Sequence, residues 1–228
     1  MPARSIAMTD LETALELDIA QQIERAALAY EQVIASDAAP FDIYLNLIFL
    51  YWESTHMGFH AGHHLSSDFI FHAVRRIPEL LDSAAQRFDR ALEMTFWRGY
   101  FKWRDWNEPL AVEDCLRIAE DSQGTTAAYL YVYTMTNDPL YLPQLRQLRN
   151  EAKRLRTTKN RYIGGLAANL LLLATGEGAT PGENIPLIVN AAGEVIVDSA
   201  GELEFAKALL ESVTAARRKP ADSADGTE

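Results

Sequence analysis

At 228 residues the chain can build one sizeable core or two small ones, and at 48% hydrophobic and 23% charged it is an ordinary globular composition. A net charge of -11 argues against general nucleic-acid binding, which needs a basic surface. The single cysteine, Cys115, rules out an internal disulfide and fits a reducing compartment. No apolar leader follows Met1, and the longest apolar run, Ile43 to Trp52, is far short of the roughly 20 residues that span a bilayer. The expectation is therefore a cytoplasmic, bacterial protein with no membrane association.

Taken in chain order, Thr9-Asp10-Leu11-Glu12 has the form of a capping box. Leu15, Ile19, Ile23, Ala26, Tyr30 and Val33 then follow at spacings of three and four, which predicts one helix running to about Ser36. Pro40 stops it, and Asp42 is the expected N-cap of the next helix. Ile43 to Glu53 has almost no polar face, so this helix should be central and packed on several sides. Gly58 and Gly62 predict that it ends or bends in the stretch after Glu53.

Ser66-Ser67-Asp68 suits a cap for a helix over residues 69–77, with Pro78 in the first turn of another. That next helix buries Leu80, Leu81, Ala84, Phe88, Ala91 and Leu92. An aromatic and basic segment, residues 95–106, closes at Asn107-Glu108-Pro109. Further helices are predicted over 110–120, 125–135, 141–156 and 162–174, with Gly164 and Gly165 allowing close packing in the last. From Gly176 the character changes to a turn-rich linker, two short strands (185–189 and 194–198) joined by a hairpin loop, and a final helix over 201–218. Residues 219–228 form a polar tail with the composition of disorder. The domain reading is a helical domain over 1–175, an appendage over 176–218 packed on it, and the tail.

Some of these helices resemble tetratricopeptide repeats. Ala26, Tyr30 and Val33, and again Ala84, Phe88 and Ala91, have the small-aromatic-small spacing of that repeat's second helix. Ile163, Leu166, Ala167 and Leu170 have the spacing of its first. The resemblance implies helices stacked to form a concave groove for a protein or peptide. The two second-helix matches stand 58 residues apart, not a multiple of the repeat's period of about 34. The fold class expected is thus mainly α, either an antiparallel bundle or an irregular tetratricopeptide-like stack, with a small C-terminal β-hairpin.

Three constellations could carry function. Four of the five histidines lie between Phe41 and His64. On an unbroken helix Glu53, His56, His60 and His63 would share one face, with His64 beside them, and imidazole with carboxylate suits a divalent metal such as zinc. The alternatives are a polar loop with solvated histidines or a pH-sensitive one. In the segment 96–106, core packing accounts for most aromatics, but Trp97, Trp103 and Trp106 cannot easily all be buried, which suggests a partner surface with Trp103 and Trp106 outermost. Finally, residues 144–161 carry seven basic residues and one acidic, a net +6 that leaves -17 on the remainder. Arg146, Arg149, Lys153 and Arg156, spaced three, four and three, would form a positive ridge or a solvated face. The chain has no phosphate-loop, dinucleotide or Gly-x-Ser-x-Gly motif. The functional expectation is a non-enzymatic helical protein that binds a protein or peptide, with a homodimer as one option and no cofactor. The alternative is a metal-dependent enzyme or metal sensor built on the 53–64 cluster.

Overall fold

The computed structural model describes residues 8–36, 39–176, 188–189 and 195–196. These residues hold ten α-helices: α1 (Met8–Ile19), α2 (Ile23–Ile34), α3 (Phe41–Ser54), α4 (Met57–Gly62), α5 (Ser67–Phe88), α6 (Ala91–Trp106), α7 (Val112–Glu120), α8 (Ala128–Thr136), α9 (Leu142–Ala152) and α10 (Thr158–Thr175). A short 3-10 turn, Pro139–Tyr141, precedes α9. Sequential neighbours pack in pairs: α1 on α2, α5 on α6, α7 on α8 and α9 on α10. The backbone of Ile188–Val189 pairs antiparallel with Val195–Ile196. The rest of the expected hairpin, the linker before it, the helix over 201–218 and the tail lie outside the described residues.

Helix α3 is the hub. Every residue from Ile43 to Trp52 is buried, and α2, α5 and α10 all pack against it. This is what an all-apolar helix must do, since it has no face to offer water. Its C-terminal half sits in an aromatic core. The Phe49 ring meets Trp97 edge-on at 4.7 Å between centroids, and Trp52 stacks on Phe101 at 4.6 Å.

Several boundaries differ from the sequence expectation; Pro40, not Asp42, is the N-cap of α3, and α10 opens at Thr158, four residues before the expected start. The single helix expected up to Ser36 is two, because the chain turns at Gln21, whose φ of 56° is left-handed. Gln21 N–H donates to the Asp18 carbonyl and Gln22 N–H to the Leu17 carbonyl, both at 2.9 Å, which is a Schellman close with glutamine in the place usually held by glycine. Conversely, the two helices expected around Pro78 are one 22-residue helix, α5, with the proline inside it. Val74, whose carbonyl loses its usual donor to Pro78, is exposed, so water can take that bond. The stripe expected to continue from Phe88 to Ala91 is cut at Asp89, which is left-handed at φ 52°, so Ala91 opens α6 instead. Helix α9 ends at Ala152, four residues before the expected Arg156. Gly164 behaves as expected: a Cβ there would stand 2.7 Å from the Ala152 Cβ, so α10 approaches α9 at a point only glycine allows.

Candidate functional site

The 53–64 segment does not form one helix. Helix α3 stops at Ser54, His56 is the extended N-cap of α4, and His64 takes the left-handed position that closes α4. His64 N–H donates to the Ala61 carbonyl and Leu65 N–H to the His60 carbonyl, a second Schellman close. The shared face expected for Glu53, His56, His60 and His63 is therefore absent. His63 instead lies against the Phe59 ring, 4.4 Å between centroids, and burial depresses its pKa, helped by the Arg161 and His64 charges. Among the described residues no group of three His, Cys, Asp or Glu side chains is placed to share a metal ion.

Glu53 and His56 stay together and gain partners from α6. His56 Nδ1 is 3.9 Å from a Glu53 carboxylate oxygen, and its Nε2 is 3.3 Å from Asp105. Asp105 also accepts a hydrogen bond from Trp52 Nε1 at 3.1 Å. Behind them the Tyr100 and Tyr162 hydroxyls meet at 2.6 Å, and the Arg104 guanidinium bonds to Tyr162. Burial raises the Glu53 pKa against the opposing pull of His56 and Arg104, and burial pushes Tyr100 up to about 12. This network ties the C-terminal ends of α3 and α6 together.

The three tryptophans separate. Trp97 is buried, with its Nε1 donating to Glu93 at 3.2 Å, so it is core and not a partner surface. Trp103 is half-buried, edge-on to Tyr131, with the Arg104 guanidinium over its ring at 5.8 Å. Trp106, 72% exposed, is the one left outermost. The basic ridge is also divided. Arg146 and Arg149 are half-buried on α9, while Lys153, its C-cap, and Arg156, four residues past its last residue, are exposed. Cys115 is fully buried, and burial with Asp114 pushes its thiol up to about 11, which leaves it un-ionised near neutrality.

Two polar sites were not anticipated. The first is Asp18, fully buried at the end of α1. It accepts hydrogen bonds from the Tyr30 hydroxyl (2.8 Å), the Thr158 N–H (2.8 Å) and the Thr158 hydroxyl (2.6 Å). It thereby joins α1 to α2 and to the first turn of α10. Burial raises its pKa, and the three donors and Arg161 only partly offset that.

The second is a cleft of about 390 Å³ at the starts of α3, α6, α8 and α10, walled on one side by α9. Lys159 Nζ lies 3.5 Å from Asp42, and the Lys159 side chain is only 14% exposed. Arg90 stands 3.9 Å from Glu93 and over the Phe41 ring at 5.4 Å. Glu93 is buried, bonded to Trp97 and Thr125, and burial raises its pKa despite those bonds and the nearby cations. Leu45, Leu148 and Ile163 supply apolar wall, and Glu151 adds a third carboxylate. The helix starts add partial positive charge, which Asp42 and Glu93 in their first turns complement.

Comparison with protein-family models, curated proteins and solved structures gives no match. The reading of the site therefore rests on its own chemistry. A sequence signal for the buried carboxylates does exist. Glu93, Phe96, Trp97 and Tyr100 have the spacing i, i+3, i+4, i+7 of a buried stripe, and so do Leu11, Ala14, Leu15 and Asp18. A charge standing on such a stripe marks a carboxylate that must find donors inside the protein.

Proposed function

We propose that the chain is a non-enzymatic helical binding protein that takes a segment of a protein or peptide in the cleft at the starts of α3, α6, α8 and α10. The observation that supports this is the convergence of both charge signs on one partly enclosed space. Arg90 and Lys159 offer cations, Asp42 and Glu151 offer carboxylates, and Leu45 and Ile163 offer apolar wall between them. A peptide presents the same mixture, with carbonyls and carboxylates for the cations, N–H groups for the carboxylates, and an apolar side chain for the wall. The cleft's volume, about 390 Å³, suits one or two residues held firmly and the rest of a segment leaving over the rim. Lys159, mostly withdrawn from water, gives such a contact more strength than a fully solvated lysine would.

A random peptide library panned against the immobilised chain tests the reading. Sequences that bind the native protein are expected to lose at least about tenfold in affinity to Arg90→Gln and Lys159→Gln, while Arg154→Gln, outside the cleft, leaves affinity unchanged. Peptides that bind all three variants equally, or a library that gives no binder, would remove the cleft from consideration.

A further inference from the structure

We infer that the outward face of α5 is a self-association surface, and that a second copy of this chain packs on it antiparallel with Phe71 next to the two-fold axis. Helix α5 buries one face on α3 and α6. Its opposite face carries Phe71, 70% exposed, and Val74, 54% exposed, with Pro78 one turn further on, also exposed. At spacings of three and four these three form one apolar strip, on a helix about 33 Å long at 1.5 Å per residue. A large aromatic and a β-branched residue thus stand side by side in water, on a regular helix and not a loop, with no cover among the described residues.

The flanking charges favour a second copy over an unrelated partner. Asp68 and Arg75, both exposed, lie three residues before and four residues after Phe71 on the same side of the helix. Neither has an ion-pair or hydrogen-bond partner among the described residues, although their neighbours Arg76, Glu79 and Asp82 are all paired. A two-fold axis beside Phe71 sets Asp68 of one copy opposite Arg75 of the partner subunit, and the reverse. The charges around Phe71 are thus their own complement: two ion pairs bracket a Phe71-to-Phe71 contact, as an isologous interface requires. The face is remote from the Lys159 cleft in the sense that no residue of α5 lines that cleft, so the two readings stand or fall separately.

The test is the mass of the full chain in solution, by light scattering and sedimentation at micromolar concentration. The native protein is expected to be a dimer that loses affinity with rising salt. Phe71→Ser should give a monomer with unchanged helical circular dichroism. Asp68→Arg and Arg75→Asp, each alone, set like charges across the axis and should weaken the dimer by about tenfold or more. The double variant Asp68→Arg/Arg75→Asp restores opposite charges at both places and should recover the dimer. A monomeric native chain, a dimer that survives Phe71→Ser, or a double variant as weak as the singles would each overturn the proposal.

Discussion

Replacing Asp18 by alanine should be among the most costly single changes in the helical body. The substitution strands three donors in a dry site: the Tyr30 hydroxyl, the Thr158 N–H and the Thr158 hydroxyl. Each stranded donor costs about 1–3 kcal/mol. Part of this is returned because the carboxylate itself is held against its own desolvation, as its raised pKa shows. A net loss of about 3–4 kcal/mol follows, a large part of the roughly 5–15 kcal/mol that holds a domain together. In a chain of this size that is a fall in Tm of about 10 °C, read by circular dichroism and checked by urea midpoint. Tyr30→Phe removes one donor and leaves two, and should cost about 1 kcal/mol. A loss under about 1 kcal/mol for Asp18→Ala would show that the three bonds do not act as described.

Other expectations are independent of this one. Burial raises the pKa of Asp18, Glu53 and Glu93, so in the window above their unfolded values the native chain keeps protons that the unfolded chain has lost. The stability these groups contribute should then be fully present below their unfolded values, about pH 4, and be lost as the pH rises from there through the folded pKa values; Glu93→Gln should flatten that slope, as a pH series of urea midpoints would record. Gln21→Gly should raise stability by about 0.5–1 kcal/mol, since it removes a side chain from a left-handed turn, whereas a glycine that destabilises would contradict the Schellman close. Gly164→Ala should cost about 1–3 kcal/mol by driving α10 off Ala152. Gly58→Ala and Gly62→Ala, with no atom within 4 Å of the added carbon, should instead stabilise α4 by about 0.5–1 kcal/mol each in thermal melts.

What could be read from the sequence was what depends on one segment at a time. The burial of Ile43 to Trp52, the stop at Asn107 and the close approach at Gly164 all follow from local composition, and they stand in the structure. What escaped depends on a choice between similar local energies. The spacing from Ile19 to Ile23 suits a continuing helix, whereas the turn at Gln21 lets Asp18 bond both Thr158 and Tyr30, contacts that lie far away in the sequence. Pro78 ends a helix in isolation but is carried by α5, because Ala73, Leu80, Leu81 and Ala84 are buried on both sides of it. For the candidate site, histidines drew notice because their side chains ligate metals, yet His60, His63 and His64 serve the short helix α4. The residues that line the cleft come from four helices and the residues just before α6 and α8, and no single stretch of sequence displays them together.

The bond between Asp18 and Thr158 spans 140 positions of the chain. During synthesis, α1 emerges long before its anchor exists, and its carboxylate has only Tyr30 and water to bond with until α10 has been made. Closing so long a loop is entropically slow, and it is α2 and α10, both packed on α3, that bring its ends near each other. A fragment that ends before Thr158 would leave Asp18 without two of its three donors, and α1 without its tie to α10.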